Sequence, residues 1–444
     1  MSPRTRIHLL ACLLPFLGGC ATYASIGNQP IHGSPRQHEE GAYGIERKRP
    51  GERQDSITLA LAFSGGGSRA AALAYGVLLE LRETELPATK GNARLLDEVD
   101  AISAVSGGSF TAAYYGLHGN ATFPAFEQHV LRRDLNADLL RRLLNPMRWF
   151  TPEGRSAAAA ELYGRTIFQD ARFADLQKSD GPLIIINASD LESGNRFAFL
   201  QGQFDLLCSD LLSFPIADAV AASSAVPVLF EPVVLQNYDT CSPAKIVAKP
   251  KDDESPQIQQ AIDGLQGYRD KQAHRYIHLA DGGLTDNLGL RAFQEAIDLS
   301  GGMSAFLRRV DRARASRLVV ISVDSSGNAG AGLGLSARAP SITRAVDAMT
   351  DIQLQRYNAA TLELMQNSLK LWTADVSTPL NPVQGHLVVV SLRDLPDADM
   401  RARLEAVPTG FSLSPEQVDE LVDAGRRLLR ENPEFKALLQ ALQQ

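Results

Sequence analysis

From about residue 57 onward, short continuous apolar runs alternate with segments of helical periodicity. The runs SITLALAF, VDAISAV, GPLIIINASDL, RYIHLADGG, SRLVVISVD and GHLVVVSL predict strands, because each is short and bounded by turn residues. SGGGSRAAALAYGVLLELRE, SFTAAYYGL, PIADAVAASSAV and LRAFQEAIDLS predict helices. Apolar strands that alternate with helices indicate an α/β fold whose central sheet is covered on both faces. In such sheets, function lies at the loops that leave the carboxyl ends of the strands.

The same pattern divides the chain into regions. One α/β domain is predicted over residues 56–395, with an insertion at about 237–275 that contains the charged loop KPKDDESPQ. NRFAFL and FEPVVL are short extended segments, and a long helix spans about 341–369. Residues 396–444 are expected to form a helical segment packed on this domain, in which SPEQ supplies a capping box.

The N-terminus has the composition of a secretory signal. Arg4 and Arg6 precede an apolar run that ends in Leu-Gly-Gly-Cys, so residues 1–19 are excluded from fold reasoning. This ending resembles the bacterial lipobox, in which the cysteine, here Cys20, is lipidated and becomes the first mature residue. The alternative is a plain signal peptide with an incidental cysteine.

The next segment, residues 20–55, is rich in Gly, Pro, Gln, Ser and charge and has no apolar period. It is predicted to be a flexible tether between the lipidated Cys20 and the domain. Ala21 follows the cysteine, and by resemblance to enterobacterial lipoproteins this suggests the outer membrane, with the domain facing the periplasm.

Composition excludes several other functions. The formal net charge is −7 and becomes −9 once Arg4 and Arg6 leave with the signal, and no basic stripe is evident, so nucleic acid is not expected as a partner. No apolar window of transmembrane length follows the first twenty residues. Beyond Cys20, the mature chain has Cys208 and Cys241, which could form a disulfide in an oxidising compartment or remain two separate buried thiols. They lack the number and spacing for a metal site.

The first of three glycine turns is FSGGGSRA, residues 63–70. Glycines between a strand and a helix leave backbone N–H groups open to an anion. Its G-x-G-x-x-A spacing also fits a dinucleotide fingerprint, but Glu85, at the required distance, follows a helix and not a strand. Arg69 opposes the helix dipole, so it should have a carboxylate or a ligand anion nearby, unless it forms a surface ion pair.

The second turn, AVSGG, places Ser106 at the crossing from a strand to a helix. It resembles the nucleophile elbow G-x-S-x-G, in which a strained turn exposes the serine hydroxyl and needs small neighbours. Ala104 replaces the first glycine of that pattern. The alternative is that Ser106 caps the helix and that Gly107 and Gly108 only allow close packing.

The third turn, ADGGLTDN, places Asp281 at the end of an apolar strand, where it is expected to emerge at the same edge of the sheet as Ser106. None of the eight histidines has a suitable position to activate the serine, so Asp281 is the best-placed base. Partial burial should raise its pKa above the ordinary value of about 3.9. Alternatively, Asp281 caps its own turn.

Taken together, GGGSR, AVSGG and DGG resemble, in this order, the motifs of the patatin-like phospholipase family, and NASDLESGNRFAF and AASSAVPVLFEPV resemble two further family blocks. The resemblance covers about residues 57–300. It implies a three-layer α/β/α sandwich with a mostly parallel sheet, and a serine hydrolase that cleaves acyl esters of phospholipids or other acyl lipids, of the phospholipase A or lysophospholipase type, at a bacterial membrane surface. The alternative is an inactive lipid-binding or structural lipoprotein with this fold.

The resemblance also implies a role for each residue that matches a family motif. Ser106 would be the nucleophile and Asp281 the base, without metal or organic cofactor. The N–H groups of Gly65, Gly66 and Gly67 would form the oxyanion hole. The supporting motif positions are Ser68, Arg69, Gly108, Gly282 and Gly283.

One further segment bears on the membrane. In residues 126–150, leucines recur every four positions from Leu131 to Leu143, with arginines around them and Met147, Trp149 and Phe150 at the end. A basic amphipathic helix of this kind either rests on a bilayer or packs on the core of its own domain.

Overall fold

The computed structural model describes residues 26–36, 41–47, 56–86, 93–143, 154–242 except 228, and 255–443 except 329 and 331. Its strands are β1 (Gln29–Pro30), β2 (Ile57–Phe63), β3 (Val99–Val105), β4 (Leu183–Asp190), β5 (Arg196–Ala198), β6 (Ser209–Asp210), β7 (Val233–Gln236), β8 (Tyr276–Asp281), β9 (Arg317–Asp324) and β10 (Gln384–Ser391).

The first eight helices of the described residues are α1 (Gly67–Glu83), α2 (Gly107–His118), α3 (Thr122–Phe126), α4 (Leu135–Leu143), α5 (Arg155–Tyr163), α6 (Phe173–Lys178), α7 (Gln201–Leu206) and α8 (Ile216–Ser223). The helices that follow are α9 (Pro256–Gly267), α10 (Gly283–Asp286), α11 (Arg291–Asp298), α12 (Met303–Arg309), α13 (Ile342–Val376), α14 (Ala398–Glu405), α15 (Pro415–Glu431) and α16 (Pro433–Leu442).

The central sheet has the strand order β10-β9-β2-β3-β4-β8-β7, and β5 pairs with β4. The strands from β10 to β4 are parallel, whereas β8 runs antiparallel to both β4 and β7. Successive residues of a strand point to opposite faces of the sheet. Accordingly, Leu318 and Val320 of β9 pack with α11, α12 and α13, whereas Val319 and Ile321 pack in the larger core with α1, α2 and α15. The predicted α/β/α sandwich is confirmed.

The C-terminal helices complete one of the outer layers. Helix α15 packs along α1, where a Cβ added to Gly76 would lie 2.2 Å from the carbonyl oxygen of Val422, so the two backbones are in close contact. Ser414 and Gln417 form the expected capping box at the start of α15. The carboxylate of Glu80 on α1 is buried and accepts two hydrogen bonds, of 2.7 and 2.6 Å, from Arg430. These contacts fix residues 415–431 to the helix that follows the first glycine turn.

The predicted flexible tether is wrong for residues 26–36 and 41–47, which pack on the domain. Strand β1 pairs antiparallel with β6, and the side chain of Asn28 donates a hydrogen bond to the carbonyl oxygen of Gln236. Tyr43 is completely buried, and its hydroxyl donates to the carbonyl oxygen of Ile184 and accepts from the N–H of Ile184, both at 3.0 Å. Tyr43 therefore supplies the hydrogen-bond partner of the Ile184 N–H and C=O groups in β4. The polar sequence around Tyr43 does not reveal this role.

A disulfide joins Cys208 and Cys241, so these residues are not two separate thiols. The bond links the end of α7 to the residues after β7, next to the N-terminal segment, where the N–H of Ile31 donates to the carbonyl oxygen of Cys208. Cys20, the predicted lipidation site, lies outside the described residues.

The leucine stripe packs on the domain's own core at Leu131, Leu135 and Leu139. Leu131 and Leu135 are buried, and Arg142 forms an ion pair with Glu161 at 2.7 Å. The membrane interpretation is therefore wrong for these residues; Met147, Trp149 and Phe150 lie outside the described ones. None of the helices in the described part of the chain has the length and apolarity needed to span a bilayer.

The contact of Tyr43 with β4 makes a prediction about stability. Tyr43→Phe should lower the free energy of unfolding by about 1–3 kcal/mol, because it leaves the buried N–H and C=O of Ile184 without this partner. Urea denaturation measures the change. The matched control is Tyr276→Phe, at a half-exposed tyrosine, which should change stability by less than about 0.5 kcal/mol. Equal effects of the two substitutions would contradict a structural role for the 41–47 segment.

Candidate active site

Ser106 lies at a strained crossing between β3 and α2. Its backbone has φ 49° and ψ −122°, outside the regions that a serine ordinarily adopts, and its side chain makes no capping hydrogen bond to α2. The helix-cap interpretation therefore does not describe this residue. Ala104 is a buried residue of β3, so the departure from the first glycine of the elbow pattern causes no conflict.

Gly107 is required at this elbow by a close backbone approach. A Cβ at this position would lie 1.9 Å from the carbonyl oxygen of Gly67, far inside any tolerated contact. The first glycine turn and the serine elbow are therefore packed backbone against backbone. Gly108 makes a similar approach to the backbone of Ser64, where a Cβ would lie 2.7 Å from the carbonyl oxygen.

The strand pairing that places Asp281 near Ser106 differs from the one that the sequence suggested. Strand β8 is antiparallel to β4, so it does not share a carboxyl edge with β3. Instead, the register places Asp281 opposite Ala188, one residue beyond Asn187, which pairs with Val105 of β3. The end of β8 thus lies level with the end of β3, and the Ser106 side chain is close enough to the Asp281 carboxylate to lower the pKa of that carboxylate.

Burial raises the pKa of Asp281 to about 6, and the Gly283 N–H and the Ser106 side chain act in the opposite direction. The Gly283 N–H donates to Oδ1 of Asp281 at 2.7 Å, so the carboxylate also caps its own turn. The Asp281 and Gly282 N–H groups donate to the carbonyl oxygens of Ala225 and Ser223 at the end of α8. The carboxylate is therefore fixed in position and is more basic than that of a free aspartate.

The first glycine turn, residues 65–67, supplies fewer free donors than predicted. The Gly65 N–H donates to the carbonyl oxygen of Asn287 at 3.0 Å, so the expectation that it holds an oxyanion is wrong. Gly66 and Gly67 have φ values of 139° and 61°, and within the described structure their N–H groups have no backbone acceptor. Together with the positive end of α1, these N–H groups have the chemistry that binding of an anion requires.

Arg69 is a buried structural residue, not part of a surface ion pair. Its Nε donates to the carbonyl oxygen of Ser325 at 2.7 Å, and its Nη1 donates to that of Val407. Burial lowers the pKa of Arg69, and the negative charges of Asp351, Asp324 and Glu405 oppose this shift. The Ser68 N–H donates to the carbonyl oxygen of Gly410 at 2.8 Å. These bonds hold the glycine turn against β9 and the C-terminal segment.

Sequence analysis assigned no role to three parts of the site. Ser223 Oγ accepts a hydrogen bond from the Ser106 N–H at 2.8 Å and donates to the carbonyl oxygen of Asn187 at 2.6 Å, so it positions the elbow. The Asn287 side chain lies beside Gly65, where its Oδ1 is 2.7 Å from the position of an added Cβ. Phe411 follows Gly410 and contacts the rings of Phe110 and Phe230. The motif ADGGLTDN contained Asn287, but nothing local indicated the Gly410 loop.

Three of the described histidines, His274, His278 and His386, have partners or positions unrelated to Ser106. His386 bonds to Glu434, His274 pairs with Glu192, and His278 is exposed on β8. Among the described residues, no group of three or more His, Cys, Asp or Glu side chains is placed to hold a metal ion. Within this part of the chain, the titratable side chain that Ser106 affects is the carboxylate of Asp281.

Comparison with solved structures finds human GIVD cytosolic phospholipase A2. The match has 14% sequence identity, a TM-score of 0.45, and covers 90% of this chain and 64% of the human chain. The same human protein in complex with methyl gamma-linolenyl fluorophosphonate matches with 14% identity and a TM-score of 0.41, over 90% of this chain and 62% of that one. This chain thus spans somewhat less than two thirds of the human chains.

Comparison with curated proteins finds no match. The family model described as patatin-like phospholipase matches residues 61–293, which is just over half of the chain and includes all three glycine turns. The chain therefore belongs to the patatin-like phospholipase family.

Proposed function

We propose that this protein hydrolyses acyl esters of phospholipids, with Ser106 as the nucleophile and Asp281 as the base. The observation that carries the proposal is the geometry at the elbow: Ser106 lies on a strained turn, and its side chain is close enough to the buried Asp281 carboxylate to lower the pKa of that carboxylate. The free N–H groups of Gly66 and Gly67 lie on the loop packed against that elbow. Family membership supports the substrate class.

In the first half of the reaction, Ser106 Oγ attacks the ester carbonyl carbon while its proton moves to the Asp281 carboxylate. The carbonyl oxygen becomes an oxyanion, which the N–H groups of Gly66, Gly67 and Gly107 stabilise. The tetrahedral intermediate then collapses. The bond to the alcohol breaks, Asp281 returns the proton to the leaving alkoxide, and the acyl group remains on Ser106.

In the second half, a water molecule attacks the acyl carbonyl and gives its proton to Asp281. Collapse of this intermediate breaks the bond to Ser106 Oγ, which takes the proton back, and the fatty acid leaves. A single carboxylate therefore serves as base and then acid in each half. A pKa of about 6 suits both tasks, because the group is ionised at neutral pH but accepts a proton more readily than a free aspartate does.

A cluster of aromatic side chains lies beside Ser106. This cluster is an argument that the bound part of the substrate is an apolar acyl chain. Phe110 lies one turn along α2 from Ser106, and its ring centroid is 4.9 Å from that of Tyr163 and 6.4 Å from that of Phe411. Phe230 adjoins Phe411 at 5.8 Å. These rings belong to the domain core or pack against it, so the surroundings of Ser106 are apolar, as a site for a lipid acyl chain requires.

The proposed location is the periplasmic face of the bacterial outer membrane, with the chain anchored through lipidated Cys20. The Leu-Gly-Gly-Cys sequence carries this part of the proposal. The disulfide between Cys208 and Cys241 is of the kind found in exported proteins, which supports an oxidising compartment. Because residues 26–36 pack on the domain, the tether between Cys20 and the first packed residues is at most about 20 Å long.

The assignment of Ser106 and Asp281 is tested by substitution. Ser106→Ala should abolish labelling by a fluorophosphonate probe, and Asp281→Asn should lower ester hydrolysis at least about 1,000-fold, because the serine then has no proton acceptor. Gel fluorescence and a release assay with a radiolabelled phospholipid measure the two effects.

Ser224→Ala is the matched control for these substitutions. Ser224 is buried close to the site, but its hydroxyl donates only within α8, to the carbonyl oxygen of Val220 at 2.7 Å. This variant should retain labelling and activity. Labelling that survives Ser106→Ala would overturn the nucleophile assignment. A folded wild-type protein that neither labels nor hydrolyses any acyl ester would instead favour an inactive lipid-binding protein with this fold.

The raised pKa of Asp281 makes a prediction about pH. For a soluble ester, kcat/KM should rise with pH and reach half of its plateau near pH 6, because only the ionised carboxylate accepts the serine proton. A pH–rate profile measures the midpoint. A midpoint near pH 4, where an unburied aspartate titrates, would contradict a desolvated base. If the residual activity of Asp281→Asn rises with pH around the same midpoint, a group other than Asp281 causes the pH dependence.

A further inference from the structure

Helix α13 is much longer than the sheet that it covers. Its 35 residues extend about 52 Å, whereas the eight residues of β9 or β10 extend about 26 Å. Met365, Leu369 and Trp372 in the second half of α13 pack on the sheet core. The carbonyl oxygen of Val376 accepts a hydrogen bond from Arg314, just before β9, so the helix ends at the amino edge of the parallel strands. Its first half therefore extends beyond their carboxyl edge, where Ser106 lies.

The inner side of this projecting half is attached to the active-site loops. The Tyr357 hydroxyl donates to the carbonyl oxygen of Thr285 at 2.6 Å, and the Asn358 side chain donates to Ser326 Oγ at 2.9 Å. The side chain of Asn287 donates to that of Asn358 at 3.4 Å. These bonds place the first half of α13 directly beside the turn that carries Asp281.

The outer side of the same half is apolar and exposed. Ile342, Met349 and Ile352 lie at helical positions i, i+7 and i+10, which share one face, and they are 85%, 58% and 54% exposed. Leu284, in the turn after Asp281, is 50% exposed. Single exposed apolar residues are ordinary, but a row of them at the edge of a catalytic site is typical of an interaction surface.

The charges around this row favour an anionic lipid surface. Arg356 continues the same helical face and is exposed, and Arg338 lies exposed just before the helix. The acidic Asp351 is directed inward, where its charge acts on buried Arg69. Farther along the same side, the second half of α13 exposes mainly polar residues, among them Glu363, Gln366, Asn367 and Lys370. Apolar side chains flanked by arginines match the interface of an anionic bilayer.

We propose that the outer face of α13 formed by Ile342, Met349 and Ile352, together with Leu284, docks on an anionic phospholipid bilayer. Docking inserts these side chains among the acyl chains and presents the entrance of the Ser106 site to the lipid esters. This inference rests on the proposed function for its purpose, but the binding that it describes does not require catalysis.

The test measures the depth of single residues in the bilayer. Met349→Cys, Ile352→Cys and Leu371→Cys are each introduced into the full chain carrying Ser106→Ala, so that no lipid is hydrolysed, and are labelled with bimane. Leu371 is the matched control, because it is 71% exposed on the second half of the same helix. Vesicles of phosphatidylcholine and phosphatidylglycerol contain phospholipids brominated along their tails. The protein without an added cysteine measures background labelling.

The expected result is strong quenching of the labels at residues 349 and 352 and little quenching at residue 371. Equal quenching at the three positions, or none at any, would overturn the proposal. A label at residue 349 that becomes buried with rising protein concentration, without quenching by brominated lipid, would identify a second copy of this chain as the occupant and would also overturn it.

A second measurement separates this inference from the proposed function. In the protein with intact Ser106, Met349→Ser combined with Ile352→Ser should lower hydrolysis of vesicle phospholipid at least about tenfold, because less protein is bound, and should leave kcat/KM for a short soluble ester unchanged. Leu371→Ser should change neither. Equal losses on both substrates would contradict docking. If no substrate is hydrolysed but the labels at residues 349 and 352 are still quenched, the proposed function is rejected and the proposed docking surface is retained.

Discussion

The burial of the Asp281 carboxylate beside Ser106 is the constraint on which the proposed site depends. Burial makes Asp281 more basic, and the same burial would destabilise the fold if the carboxylate had no partners. The Gly283 N–H supplies one partner, and the carbonyl oxygens of Ala225 and Ser223 hold the backbone of residues 281 and 282. A buried carboxylate of this kind is retained at a cost in stability, as groups in functional sites often are.

The fold brings these groups together by register and by close backbone packing. Strand β8 is antiparallel to β4 and ends opposite Ala188. Asp281 therefore lies next to Ser106, which follows β3, a strand that runs in the opposite direction to β8. The first glycine turn can approach the Ser106 elbow only because Gly107 has no side chain that would collide with Gly67. The loop containing Gly410 then packs over the first turn from the far end of the chain. Elements distant in sequence thus complete one small site.

Local patterns were sufficient to predict some of this structure. A glycine-rich crossing from strand to helix is a local feature, so the strained turn at Ser106, the position of Asp281 at the end of a strand and the layered α/β fold could be predicted from the sequence alone. Features that depend on residues remote in the sequence could not be predicted. The Gly65 N–H donates to the carbonyl oxygen of Asn287, and the Tyr43 hydroxyl, within a polar segment, donates to the carbonyl oxygen of Ile184. The direction of β8 was also missed, because an apolar run indicates a strand but not its neighbour or its sense.

The most direct test of the account is to identify the residue that carries the acyl group during turnover. Rapid quenching of the enzyme with an isotopically labelled phospholipid, followed by peptide mass spectrometry, locates that group. The account predicts a labile acyl ester on Ser106 that accumulates transiently in the wild-type protein and does not form after Asp281→Asn. An acyl group on any other side chain, or sustained turnover by the Ser106→Ala variant, would contradict it.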